Sequence, residues 1–194
     1  MDLDLPINLS NNSVTSLYED RSGVFWVGTQ NGALNKFIRS SSESFTVYQN
    51  DPSNANSLSN NSITSLFEDG SGDFWVGTQG GGLNRQDART LSFINYVHNP
   101  NDPTSISSDF INSIYQDSFG NVWIGTIDGL NLYNELTDSF IHFKHDQNDE
   151  NTISGNIITT IFEDSKNIIW VGTLNNGLNA YDRDSGEFRR FTHS

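Results

Sequence analysis

Cysteine is absent from this 194-residue chain and basic residues are scarce, with ten Lys and Arg set against twenty-four Asp and Glu. The lack of thiols excludes a disulfide framework, thiolate metal sites and a cysteine nucleophile, and leaves the redox compartment open. The net charge of −14 argues against nucleic acid or an anionic membrane surface as a partner, because such binding relies on Lys and Arg to displace counterions. No apolar run reaches the roughly 18 residues needed to span a bilayer. The start, Met1 to Pro6, has neither the basic n-region nor the apolar h-region of a signal peptide. His98, His142, His145 and His193 are not spaced as a zinc set. No glycine-rich phosphate loop opens a helix and no Gly-x-Ser-x-Gly elbow occurs, so no cofactor and no metal are expected.

What the chain has instead is a repeat. Glu19-Asp20-Arg21-Ser22-Gly23-Val24-Phe25-Trp26-Val27-Gly28-Thr29 returns around Trp75, Trp123 and Trp170; with Trp26 these are all the tryptophans of the protein, at successive separations of 49, 48 and 47 residues. A fixed period of this length marks propeller blades or similar arrays. Each copy opens with a β-branched and aromatic stretch (Val14 to Tyr18, Ile63 to Phe67, Ile111 to Tyr115, Ile158 to Phe162) that favours a strand apolar on both faces. An Asp-x-x-Gly turn follows. Gly23, Gly72 and Gly120 suit its left-handed position, and Asn167 replaces the glycine in the last copy as the residue that next best tolerates that conformation. The Trp-(Val/Ile)-Gly-Thr strand then closes on Asn31-Gly32, Gly80-Gly81, Asp128-Gly129 and Asn176-Gly177, strong hairpin signals. Third strands start at Leu34, Leu83, Leu130 and Leu178, and fourth strands lie around Phe45 to Tyr48, Phe93 to Tyr96, Phe140 to Phe143 and Phe188 to Phe191.

These features predict an all-β protein of four tandem four-stranded antiparallel meanders, each a β-propeller blade. The expected division is a leader over 1–10, then blades with their connectors over 11–59, 60–107, 108–154 and 155–194. The first strand of each blade is placed innermost, since the small Ser16, Ser65, Ser113 and Thr160 recur there. The chain opens before a first strand and closes after a fourth, so no spare strand remains to close a ring. A partial propeller is therefore expected, completed by further blades, by a second copy or by contact between its terminal blades.

A residue type repeated at one place in every blade serves what every blade needs. The tryptophans are accordingly read as interblade filler, and Asp20, Asp69, Asp117 and Asp164 as turn caps. A glycosidase would instead need one specific carboxylate pair about 5 to 10 Å apart. Asn35, Asn84, Asn131 and Asn179 are assigned to bonding a turn or a neighbouring blade, and the equivalent His98, His145 and His193 to loop bases. Ligand candidates come from places where the copies differ: Asn50, Asp51, Asn99, Asp102, Asp146 and Asp149 in the polar connectors, beside Asn12, Asn61, Asp109 and Asn156 at the strand entrances. Amides and carboxylates gathered on one face suit a hydroxyl-rich ligand, against the ordinary reading of a solvated loop set.

The pattern Asn-x-(Val/Ile)-x-x-(Leu/Ile)-(Tyr/Phe)-Glu-Asp-x-x-Gly-x-x-Trp-(Val/Ile)-Gly-Thr-x-x-Gly-Leu-Asn, in four copies across residues 8–194, resembles the two-component regulator propeller repeat. The resemblance implies a periplasmic or extracytoplasmic ligand-sensing region of a bacterial membrane receptor. In that family the propeller precedes an immunoglobulin-like domain, a transmembrane helix and a kinase or cyclase output, and carbohydrate is the usual proposed ligand. A non-enzymatic binding module for an oligosaccharide or other small polar ligand is therefore expected. The alternatives are a protein-interaction scaffold and, third, a glycan-active enzyme.

Overall fold

The computed structural model describes residues 8–39 and 43–193, so most of the expected leader over 1–10 lies outside the described residues. Sixteen strands and no helix are found among them. Strands β1 (Val14–Glu19), β2 (Phe25–Thr29), β3 (Leu34–Ile38) and β4 (Ser44–Tyr48) pair in chain order as one antiparallel sheet. The pattern repeats with β5 (Ile63–Glu68), β6 (Phe74–Thr78), β7 (Leu83–Gln86) and β8 (Phe93–Tyr96), then with β9 (Ile111–Gln116), β10 (Val122–Thr126), β11 (Gly129–Asn134) and β12 (Ser139–Phe143). The last sheet comprises β13 (Ile158–Glu163), β14 (Ile169–Thr173), β15 (Gly177–Tyr181) and β16 (Phe188–Phe191). Four meanders of four strands are thus what the repeat predicts. Contacts divide the chain into two compact units, Met1–Asn95 and Tyr96–Ser194, with two blades in each.

Within the first unit, first strands lie side by side, and the Thr15 hydroxyl donates to the Ile63 carbonyl at 2.6 Å. Asn112 does the same to Ile158 O at 2.7 Å in the second unit. The glycine of the Trp-x-Gly-Thr strand makes this approach possible. A Cβ on Gly28 would stand 2.7 Å from Cγ2 of Ile63, and one on Gly125 would stand 2.7 Å from Cγ2 of Ile158. Only a residue without a side chain lets the next blade's isoleucine seat there. The neighbouring hydroxyls of Ser16, Ser65 and Ser113 are buried without partners, so these serines serve as small side chains where space is tight.

The core of each unit is the wedge between its two blades. In the first, Trp26 stacks on Phe74 of the next blade with ring centroids 4.7 Å apart, and Leu34, Ile63 and Val76 are fully enclosed around them. In the second, Trp123 meets Tyr181 edge-on at 5.2 Å amid Leu130, Ile158 and Ile169. Both wedges rest on area burial of roughly 25 cal/mol per Å² plus the aromatic geometry.

Candidate functional site

The repeated aspartates are turn caps, with an additional role. Asp20 Oδ1 accepts from the amides of Ser22 and Val24, both at 2.9 Å, while Oδ2 accepts from Nε1 of Trp26 at 2.8 Å. The same indole bond joins Asp69 to Trp75 (2.7 Å), Asp117 to Trp123 (2.8 Å) and Asp164 to Trp170 (2.9 Å). One carboxylate therefore fixes the turn and also orients the large side chain that fills the wedge. Gly23, Gly72, Gly120 and Asn167 take φ values of 77°, 91°, 88° and 63°, the left-handed position expected of them. The Trp170 bond, ahead of the Ile168 amide, holds the Asp164 carboxyl below its ordinary value.

The buried asparagines tie each blade to its own entering segment. Asn35 accepts from Ser10 N at 2.9 Å and donates to Val27 O at 3.1 Å, and Asn84, Asn131 and Asn179 accept from Ser59, Ser107 and Ser154 in the same way.

A further interblade clasp belongs to glutamates that the sequence pattern shows but assigns no role. Glu68 Oε2 accepts from the Arg21 amide of the preceding blade at 2.7 Å, and Glu163 Oε2 accepts from the Ser118 amide at 2.7 Å. In the second unit Arg183 completes the clasp. Its Nη1 lies 2.8 Å from Asp117 Oδ2, its Nη2 2.9 Å from Glu163 Oε1, its Nε donates to Asn167 O at 3.0 Å, and its guanidinium sits 4.7 Å from the Phe119 ring centre. Burial pushes the Asp117 carboxyl up, but the hydrogen bonds from Trp123, Asn121 and Arg183 outweigh it and hold the group below its ordinary value.

The connector candidates form a braced loop that repeats three times. Asn61, Asp109 and Asn156 accept through Oδ1 from the amides of Asn50 (2.7 Å), His98 (2.6 Å) and His145 (2.7 Å). Asn50 Nδ2, His98 Nδ1 and His145 Nδ1 in turn donate to the carbonyls of Leu58, Ile106 and Ile153 at 2.7, 2.9 and 2.8 Å. Asp51, Asn99 and Asp146 each accept from the amide two residues on, as do Asp102 and Asp149, so every connector is built on Asx turns. Hydrogen bonds from the Ser53 hydroxyl and amide lower the pKa of Asp51, and those from Thr104 do so for Asp102.

Leu58, Ile106 and Ile153 are wholly buried anchors, marked in the sequence by an apolar residue at one place in each polar connector. From the fourth strand, Asn95 donates to Ser57 O at 3.1 Å, His142 to Ser105 O at 2.6 Å, and Arg190 to Thr152 O at 2.6 Å, latching the connector from outside. Nine of the ten candidates take part in these braces, each within its own connector. Asn12 stands apart as an exposed side chain before β1. Asp51, Asn99, Asp102, Asp146 and Asp149 remain exposed, so polar atoms beyond those used by the turns face solvent.

Antiparallel meanders with a capped turn, a wedge tryptophan and first strands packed blade to blade define a β-propeller architecture. A family model described as two component regulator propeller matches residues 8–31, 57–80, 105–128 and 152–175, and the chain belongs to this family. Among solved structures it is similar to the extracellular domain of the hybrid two component system BT3049 from B. thetaiotaomicron, with 25% identity and a TM-score of 0.82, covering 95% of this chain and 25% of that one. The extracellular domain of the hybrid two component system BT4673 from the same organism matches at 23% identity and a TM-score of 0.77, over 96% of this chain and 26% of that one. Virginiamycin B lyase from Staphylococcus aureus, an enzyme, shares the fold at 16% identity and a TM-score of 0.68, over 96% and 58% of the two chains. The chain thus spans about a quarter of the length of the two receptor domains. A search of curated protein sequences gave no significant match.

Proposed function

We propose that this chain is a ligand-sensing propeller segment of an extracytoplasmic region in a bacterial signalling receptor, binding carbohydrate or another small polar ligand without catalysis. The observation that carries the reading is the likeness, over nearly the whole chain, to the extracellular domain of a hybrid two component system. The exposed polar side chains of the connectors, including Asp51, Asn99, Asp102, Asp146 and Asp149, are the contacts offered to hydroxyl groups, and the Asx-turn framework holds them in place before ligand arrives. Occupancy would pass to downstream receptor domains through a change in blade packing.

Titration calorimetry against a panel of neutral and acidic oligosaccharides, combined with hydrogen exchange, tests this. Binding with slowed exchange over 49–59, 97–107 and 144–154 is expected. Absence of binding across the panel overturns the carbohydrate reading, and binding without protection of the connectors overturns the assignment to these loops.

A second reading, assembly through blade faces, is favoured by one specific contrast. Val14 is 45% exposed, whereas its counterparts Ile63, Ile111 and Ile158 are 1%, 0% and 0% exposed; Leu17 on the same strand is 60% exposed, and Phe162 on β13 is 58% exposed. Surfaces of this kind suit further blades of the same receptor or a second copy. Sedimentation across a concentration series distinguishes them: self-association points to a second copy, and a monomer at all concentrations removes it.

A further inference from the structure

Between the first and second blades lies a cavity of about 330 Å³, open to solvent on one side, whose lining includes Asp20, Ser22, Glu68, Gly72 and Ala88. Each of these is the repeat counterpart of a residue in the Arg183 clasp of the second unit. Asp20 corresponds to Asp117, Glu68 to Glu163, Gly72 to Asn167 and Ser22 to Phe119, while Ala88 stands where Arg183 stands. A Cβ on Gly72 would lie 3.7 Å from the Ala88 Cβ, so Ala88 faces the turn as Arg183 does. The cavity therefore lies where the guanidinium of the sister wedge is bound, with both carboxylates retained and the side chain that would fill it shortened to a methyl group.

We propose that this cavity is a binding site for a small alkylguanidine. The sister wedge shows how such a group is held: Nη1 on the turn aspartate, Nη2 on the glutamate of the next blade. In the first unit Glu68, which lines the pocket, uses Oε2 for the Arg21 amide, and its Oε1 is the counterpart of the Glu163 oxygen bound by Arg183. Asp20 Oδ2 already accepts from Trp26 at 2.8 Å, as Asp117 Oδ2 does from Trp123 while also holding Arg183. The remaining walls include Trp26, Tyr48 and Phe74, which suit an alkyl stem and the face of a planar cation.

Two cations lie nearby. Arg21 is committed to Gly70 O at 3.1 Å. Lys36 lines the cavity with its ammonium 5.3 Å from the Trp26 ring centre, and no ion pair joins it to Asp20 or Glu68 among the described residues. A planar guanidinium spans two carboxylates with parallel donors, which a single ammonium does not. The site is distinct from the connector face and does not depend on the carbohydrate reading above.

Calorimetry on the whole chain with agmatine and methylguanidine, and with n-butylamine as the ammonium control, tests the assignment. One agmatine is expected per chain. Glu68→Gln should weaken it roughly tenfold or more, the scale of losing a charge-assisted hydrogen bond. Ala88→Arg, which recreates the sister clasp in place, should abolish binding while the far-ultraviolet dichroism is retained, and Lys36→Met should tighten it. The proposal is overturned if agmatine does not bind, if Ala88→Arg binds it as the parent does, or if n-butylamine binds equally well. Should Ala88→Arg not fold, Glu68→Gln decides: unchanged agmatine affinity rejects the site. Connector protection by an oligosaccharide is unaffected by Ala88→Arg, so the two readings fail separately.

Discussion

The two interblade wedges share a scaffold and differ in how the clasp is finished. In both, an aspartate caps a turn and orients a tryptophan, and a glutamate of the next blade holds the turn amide. In the second unit Arg183 reaches across and ties Asp117 to Glu163, whereas in the first Ala88 leaves Asp20 and Glu68 facing a cavity. The contrast shows that the repeat builds the wedge and that the positions where the copies differ, Ala88 against Arg183 and Ser22 against Phe119, set how it is filled. Function is therefore best sought where equivalent positions diverge on an otherwise constant frame.

Removing the constant part should have the largest effect. Trp123→Ala is expected to lower stability by about 3 to 5 kcal/mol, the range for deleting a buried large aromatic, read from the urea midpoint. Trp170 is only partly buried, so Trp170→Ala should cost clearly less; equal losses would break the view that wedge filling is what the tryptophan supplies. Next comes Arg183→Ala. The Asp117 side chain is 0% exposed and that of Arg183 is 24% exposed, so stripping the cation leaves a buried carboxylate short of a partner, at a cost of about 1 to 3 kcal/mol. Recovery of the midpoint with added methylguanidine would sharpen the comparison, since it would show that the clasp accepts a detached guanidinium.

A pH series follows in size. The Asp117 carboxyl is held below its ordinary value of 3.8, so its contribution is fully present above that value and is lost as pH falls through the lowered folded-state pKa. Asp117→Asn should therefore flatten the acid limb of stability against pH; an unchanged limb would break the assignment. The smallest effect expected is from Ala88→Arg, a gain of up to about 1 kcal/mol in the first unit, because an ion pair at a partly exposed rim contributes little.

Much of the frame was legible in the residues. The period and the hairpin glycines give the sixteen strands, with the first and fourth strands of each blade and the starts of the third within a residue of their observed bounds, and Asn167 in place of glycine was readable as a left-handed turn position. The glutamate clasp was not, because Glu68 and Arg21 lie in different repeats and their meeting depends on how blades stack. Nor was the commitment of Asn61, Asp109 and Asn156 to connector amides, since an asparagine or aspartate before a strand reads equally as a turn brace or a ligand contact.

Composition and period determined that this chain would be built of β-propeller blades with no thiol chemistry, since neither depends on how distant residues meet. Tertiary structure decided what the polar residues do. It turned the connector amides into Asx-turn braces, joined aspartate to tryptophan, and filled one wedge with Arg183 while leaving the other open. The physical reason is that hydrogen bonds and ion pairs are short-ranged and directional, so their partners are fixed only when separate repeats pack together.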